Sequence, residues 1–578
     1  MKKIILSICL SVFLITIFAQ NKNNILITIG DETITATEFI NTFSKNNSLS
    51  KATESEVRDY LDLYINFKLK VKDGLDIKID TCATFQRELT SYKKQSAQPY
   101  LVDKEVTEKL IQEAIERSKY MVHTSHILIL CAADAEPKDT LAAYQKALDI
   151  RKKIISGAIT FNEAVMQYSE DLSARDEVGK NGQIQYGNGG DLSYFTAFEL
   201  IYPFESAAYN TAVGNISMPV RTQFGYHLVW VQDKQPVVTK INTAQILLLD
   251  KEARTGGISP EVKEKLDKIE EALKNGENFN TLAEQYTEDP VSKKNGGNVE
   301  PFAPSRRPGD FIKQCISLKP NQISKPFPSI IGWHIVKLNE LVTPEFKDDD
   351  LRYNMTNRIQ RDARSTKSVE SLIEKLKKEY KYSDKDKKTA FDLLLNKLNA
   401  QNSMPAEAEL LSIEGINKLK PIATFANQTI TVKDFIHHLS TFQGVEFKQP
   451  TKTFLHTQYE FFLKEKMLKY EFDNLENKYP EYKELINEYH NGMILFEMNN
   501  ERIWSPALKD TASFHAYYEK NKLHYLDNAG NPKPLTKIRS VVLTDFQNEL
   551  EKEWIIRLKK KYPVQINEAL LESILKNK

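Results

Sequence analysis

Apolar and polar positions alternate over Ile25–Ile29, break at Gly30-Asp31-Glu32 and resume over Thr33–Thr35. That pattern predicts a strand, a turn and a return strand. Thr35 then stands ahead of Thr37-Glu38-Phe39-Ile40, an opening suited to a helix. From Glu54 to Lys72 the apolar residues Val57, Tyr60, Leu61, Tyr64, Ile65 and Leu69 recur at three- and four-residue spacing. Residues 82–120 continue in the same way through Phe85, Leu89, Tyr92, Leu110, Ile111 and Ile115. Long amphipathic helices are expected across this first stretch. After Tyr120 the character changes. His126-Ile127-Leu128-Ile129-Leu130 reads as a short buried strand, 139–168 as helical, and Gly179–Gly190 as a glycine-rich loop. A helix near 203–209 and two closing strands, Ser217–Val220 and Tyr226–Gln232, complete an α+β unit.

The same order then recurs. Ala244-Gln245-Ile246-Leu247-Leu248 follows Ser125-His126-Ile127-Leu128-Ile129, and FNTLAEQYTED from Phe279 follows FNEAVMQYSED from Phe161. Gly296-Gly297 follows Gly189-Gly190, and Gly332-Trp333-His334-Ile335-Val336 follows Gly225-Tyr226-His227-Leu228-Val229. Collinear matches of this density mean duplication. A second echo brackets the pair: Ile422–Thr431 repeats the pattern of Ile25–Thr35, and Asp434-Phe435-Ile436 repeats Glu38-Phe39-Ile40. Residues 345–400 are charged and helical, and helical sequence returns from about 452 to 525. The expected fold class is therefore α+β multidomain, two α+β units flanked by mainly helical modules. The expected boundaries are 20–120, 121–235, 240–342, a charged helical linker over 343–420, and 421–578.

Residues 1–19 carry Lys2 and Lys3, an apolar run from Ile4 to Phe18, and Ala19 before Gln20. This is the pattern of a cleaved secretory signal, and the run is shorter than the ~20 residues a membrane span requires. No other stretch is apolar enough to span, so the mature chain is not expected to be an integral membrane protein. With Lys+Arg 79 against Asp+Glu 78 the charge is balanced, which gives no reason to expect nucleic acid as a partner. Cys82, Cys131 and Cys315 read as free, buried thiols, one pairing being left open, and no spacing resembles a zinc site. No cofactor is expected. There is no G-x-S-x-G, no H-E-x-x-H and no Cys/His pair to suggest a hydrolase. His437 and His438 are adjacent on a helix and point apart, so they are read as structural. The aromatic run from Phe461 to Tyr489 is read mainly as core.

The first α+β unit resembles the parvulin family of peptidyl-prolyl isomerases. The resemblance rests on His126-Ile127-Leu128, Tyr168-Ser169-Glu170-Asp171, Gly189-Gly190-Asp191-Leu192-Ser193-Tyr194-Phe195, Pro203-Phe204-Glu205, Gly214–Val220 and Phe224-Gly225-Tyr226-His227, in the family's order. It implies a four-stranded sheet wrapped by helices. It further implies a polar set of His126, Asp171, Thr222 and His227 beside an apolar proline pocket walled by Leu192, Phe195, Leu200 and Phe204. Phe224 is bulkier than the residue often found there and is expected to add a wall or crowd the substrate. The flanking modules and the signal are similar to the SurA type of periplasmic folding factor. The partners this implies are unfolded or proline-containing polypeptides, outer-membrane proteins among them, met in the periplasm.

The second unit departs from the pattern. Gln245 replaces the first histidine, Asn298-Val299 replaces Asp-Leu, and Arg307 falls where the first unit has Leu200. Asp289, Phe302, Phe311, Ser329 and His334 are kept. Weak or absent catalysis is expected there. The function expected of the chain is an exported prolyl isomerase whose first unit is catalytic. The alternative is an ATP-independent holdase with largely vestigial isomerase units.

Overall fold

The computed structural model describes residues 24–45, 47–178 and 184–576. The expected signal segment and the middle of the loop 177–188 lie outside them. Two compact bodies are formed: one from the two ends of the chain, up to Gln98 and from Phe472, the other from Pro99–Glu471.

In the terminal body, β1 (Ile25–Ile29) and β2 (Glu32–Thr35) make the expected hairpin. Helix α1 (Ala36–Ser44) starts where the Thr35 side chain accepts the Glu38 N–H, which satisfies one of the donors a helix start leaves free. Helix α2 (Glu54–Asp76) opens on a capping box of Thr53 and Glu56, and α3 (Ala83–Ala97) follows. The chain's end returns to this hairpin: residues Val564–Ile566 pair with β1, Ile27 opposite Ile566. Nothing in the local sequence of either segment announces that pairing.

The central body holds the duplicated units. In the first, β3 (Tyr120–Leu130) lies between β4 (Asp191–Phe195) and β6 (Gly225–Pro236), with β5 (Val220–Arg221) outside β6, all antiparallel. Helices α5 (Pro137–Ile155) and α6 (Phe161–Tyr168) pack Ala147, Ile150, Phe161 and Val165 against Ile127, Ile129 and Leu228. Helix α4 (Lys104–Ser118) leads into β3, and α7 (Tyr202–Asn210) lies on the opposite face of the sheet. The second unit repeats the plan with β7 (Lys240–Leu249), α8 (Pro260–Lys274), α9 (Phe279–Tyr286), α10 (Gly309–Ser317), β8 (Phe327–Pro328) and β9 (Gly332–Val342). Its counterpart of β4 is reduced to single bridges, Ile241 to Phe302 and Ala244 to Asn298. Gly225 and Gly332 hold the same place in both: a Cβ on either would lie 2.0 Å from a carbonyl oxygen of the neighbouring strand, Ile129 or Leu248. Only glycine permits that approach.

Residues 343–420 differ from the expected linker. After α11 (Asp348–Arg361) and α12 (Thr366–Glu379), helix α13 (Lys387–Leu398) buries Phe391, Leu394 and Leu398. These join Ile373, Leu376 and Leu410 in one core with Phe425, Phe435, Leu455, Tyr459 and Phe462. The many lysines of this stretch cover one face and hide the apolar stripe of the other. The echo segment forms β10 (Ala423–Phe425) and β11 (Gln428–Ile430), and a Thr431–Asp434 capping box starts α14 (Val432–Ser440). Cys82, Cys131 and Cys315 are free thiols, and Cys82 is exposed rather than buried. Among the described residues no helix is long and apolar enough to cross a membrane.

Candidate active site

The strand register assembles the polar set. His126 pairs with Val229 and Leu128 pairs with His227. Residues two apart on a strand share a face, so His126 and His227 are diagonal neighbours on one side of the sheet. Their rings stack 5.4 Å apart with Nδ1 to Nδ1 at 3.2 Å. Thr222, in the turn between β5 and β6, places Oγ1 2.9 Å from His227 Nε2 and accepts the Phe224 N–H at 3.1 Å. Asp171 follows α6, whose start is fixed by a Thr160–Glu163 capping box. Its Oδ1 accepts the Ser173 N–H at 2.9 Å, and its Oδ2 is left 2.9 Å from His126 Nε2. The approach to Nε2 is off the axis of a directed hydrogen bond, so this is an electrostatic contact. His126 beside it, together with the Ser173 N–H and hydroxyl, holds the Asp171 carboxyl well below the ordinary carboxylate range, against the opposing effect of burial. Burial, reinforced by His126, lowers His227 to about 4, so its ring is neutral at physiological pH.

The apolar walls lie alongside. Phe204 meets both imidazoles edge-on, at 5.8 Å from His126 and 5.4 Å from His227, and sits 6.3 Å from Phe195. Leu192 and Leu200 pack on the same cluster. Phe224 is 51% exposed and is not part of it; its contribution is the backbone N–H that orients Thr222.

The mount of this pocket was not visible in sequence. Glu205, next to Phe204, is fully buried. One of its oxygens accepts the Phe198 N–H at 2.7 Å, which ties α7 to the loop carrying Leu200. The same carboxylate is held by Arg364 through two nitrogens, at 3.2 and 2.9 Å, and by Arg117 at 3.0 Å. Arg364 also lies 3.8 Å above the Phe198 ring. Arg117 comes from α4 and Arg364 from the turn between α11 and α12, so helices outside the unit clamp its pocket. The only sequence signal was the Pro-Phe-Glu motif itself.

In the second unit Gln245 donates to Asp289 Oδ2 at 3.1 Å, and Ser329 Oγ lies 2.8 Å from His334 Nε2. Gln245 Oε1 and His334 Nδ1 are buried with no partner. Burial, with the Arg307 charge, lowers His334 to about 4. Phe327, at the position of Val220, stacks 5.5 Å from His334. The Arg307 guanidinium lies 5.3 Å over Phe302 and 6.0 Å over Phe311. Ring and guanidinium stand where the first unit has Val220 and Leu200.

The PPIC-type PPIase domain of the rotamase family matches residues 126–233 and 246–340. The chain carries two rotamase domains. It is also similar to "Chaperone SurA" of Nitrosococcus oceani, 27% identical over 245 residues, which cover 41% of this chain and 54% of that protein. The SurA chaperone of Pseudomonas aeruginosa is 31% identical over 154 residues, 26% of this chain and 36% of the relative. The chain spans about half the length of the first of these relatives. Among solved structures, the peptidylprolyl isomerase PrsA of Bacillus anthracis is 26% identical, covering 24% of this chain and 60% of its own with a TM-score of 0.17. The parvuline of Nitrosopumilus maritimus is 27% identical, covering 18% and 97%, with a TM-score of 0.15.

Proposed function

We propose that the chain is an exported peptidyl-prolyl isomerase that works on unfolded polypeptides in the periplasm, with rotamase domain 1 as its catalytic unit. The gathering of His126, Asp171, Thr222 and His227 beside Phe204 supports this reading more than any other observation. Rotation about a peptide bond faces a barrier of ~18–20 kcal/mol, and no bond is broken on the way. A catalyst must therefore hold the proline ring and favour the twisted imide over the planar one. Leu192, Phe195, Leu200 and Phe204 hold the ring. The neutral His227, oriented by Thr222, and the His126–Asp171 contact present a fixed field where the carbonyl loses its resonance. Asp171 is electrostatic in this scheme; no thiol stands at its position.

The test is isomerisation of a short Ala-Pro peptide by the full chain, read by NMR exchange. His126→Ala and Asp171→Ala should each lower the rate by at least about tenfold. Unchanged rates in both would refute the site.

A second reading is favoured by the similarity to SurA chaperones and by apolar side chains left exposed in the terminal body, such as Phe496, Leu508, Leu523 and Ile556. Under it the chain also holds unfolded outer-membrane proteins without ATP. Suppression of aggregation by the His126→Ala chain separates holding from isomerisation.

A further inference from the structure

The two rotamase domains are clasped to each other within the central body. Asp191, at the head of β4, accepts the Gly309 N–H at the start of α10 in domain 2 at 2.9 Å, while its other oxygen lies 2.8 Å from His123 Nε2. A Cβ on Gly309 would fall 1.9 Å from that nitrogen, so the approach requires glycine. Ser193 Oγ sits against the carbonyl oxygens of Pro304 and Arg307. On the other side Arg254 of domain 2 forms a two-nitrogen ion pair with Asp176 of domain 1.

These clasps bracket a cavity of about 1050 Å³ lined by both domains. Its volume is at the upper end of the range of ordinary ligand sites, about 300–1,000 Å³. Phe311 and Ser329, two of the residues that contact His334, form part of its wall, so it includes the mouth of the second pocket. Two features set its chemistry. Arg306 and Arg307 line it, and neither has a carboxylate partner among the described residues, whereas Asp176 and Asp191 are already engaged. Arg175 adds a third cation whose hydrogen bonds go to the uncharged carbonyls of Met166 and Ser169. Among the described residues of the wall, only Asp310 is an unengaged acid. Between the charges lie Met166, Trp230 and Phe311. Behind Phe311, Gln245 Oε1 and His334 Nδ1 are buried polar atoms without partners.

We propose that this cavity is a binding site for an extended polypeptide segment that carries an acidic side chain beside an aromatic residue or proline. Arg306 and Arg307 take the carboxylate, and the exposed Met166 with Trp230 takes the apolar neighbour. Paired guanidiniums suit a carboxylate in geometry as well as charge. The cavity borders the domain 1 pocket at Leu192, but His126, Asp171, Thr222, His227 and Phe204 do not line it, so binding there does not depend on isomerisation.

The probe is a fluorescein-labelled peptide, Gly-Phe-Glu-Pro-Phe-Gly, titrated with the full chain and followed by anisotropy, beside analogues with Gln or Lys in place of Glu. The Glu peptide should bind about tenfold tighter than the Gln peptide, and the preference should shrink at high salt. R306E/R307E should invert the order and favour the Lys peptide, and R306Q alone, at an exposed position, should lower the preference without threatening the fold. His126→Ala, which tests isomerisation, should keep the preference, so failure of the one claim is distinct from failure of the other. Equal binding of the three peptides overturns the proposal. So does an unchanged preference in R306E/R307E, or loss of Glu-peptide binding in Phe204→Ala, which assigns the peptide to the first pocket.

Discussion

Rotamase domains 1 and 2 share strand order, the glycine beneath the neighbouring strand and the carboxylate after α6 or α9, yet their pockets hold different things. In domain 1 two imidazoles face each other across adjacent strands with Phe204 set edge-on to both. In domain 2 Gln245 faces His334 without bonding to it, Phe327 stacks on His334, and the Arg307 guanidinium lies over Phe302 and Phe311. A sheet of this kind fixes where side chains point and leaves open what they do. Three exchanges, His to Gln, Val to Phe and Leu to Arg, replace a pair of imidazoles beside apolar walls with one imidazole packed on aromatic rings beside a guanidinium.

The comparison breaks most severely at the clamp that only domain 1 possesses. Arg364→Met strips a partner from a fully buried carboxylate, and removing one member of a buried pair costs about 3–5 kcal/mol. Thermal unfolding should show that loss, and isomerisation should fall because Glu205 holds both α7 and the Leu200 loop. The matched change in domain 2, at any residue of α10 facing solvent, should do neither. Next in size is Asp171→Asn, which keeps the cap on Ser173 but removes the charge beside His126; the Ala-Pro isomerisation rate should drop about tenfold or more, while Asp289→Asn should leave it within about twofold.

A smaller effect sharpens the contrast from the other side. Gln245→His with Arg307→Leu and Phe327→Val, placed in a His126→Ala chain, should restore a few per cent of the isomerase rate if these three positions account for the difference. Smallest is the pH response. Because the folded state keeps His227 neutral down to about 4, the contribution of His227 to the rate, taken as the ratio of parent to His227→Asn, should be flat between pH 7 and pH 5 and decline toward pH 4. The unfolded chain takes up that proton near 6.5, so stability contributed by the neutral ring is present above about 6.5 and is lost as pH falls toward 4. A pH-scanned melt of His227→Asn should lack this arm.

Much of this was legible in the sequence. The duplication and the strand and helix periods follow from local pattern, which is a short-range property, while the polar set of His126, Asp171, Thr222 and His227 was expected only from the resemblance to the parvulin family. Three things were not. The pairing of β1 with Val564–Ile566 joins the two ends of the chain. The Glu205 clamp draws Arg364 from a charged stretch that looked like solvated surface. The core built on Phe391, Leu394 and Leu398 was hidden because neighbouring lysines outweigh a one-sided apolar stripe in any count of composition. Each depends on contacts between residues remote in sequence, which no window along the chain contains. Phe327 falls between these cases: the match of Ile323-Ser324-Lys325-Pro326 to Ile216-Ser217-Met218-Pro219 puts it in the place of Val220, but its stacking on His334 needed the strand register.

The decisive measurement is the isomerisation rate of the full chain with the edge-on aromatic removed from one domain at a time. Phe204→Ala should reduce catalysis of the Ala-Pro peptide by at least about tenfold, while Phe311→Ala should leave it near that of the parent chain. Retained activity in the Phe204→Ala chain, with activity lost in Phe311→Ala, would show that catalysis resides in domain 2 and contradict the assignment made here.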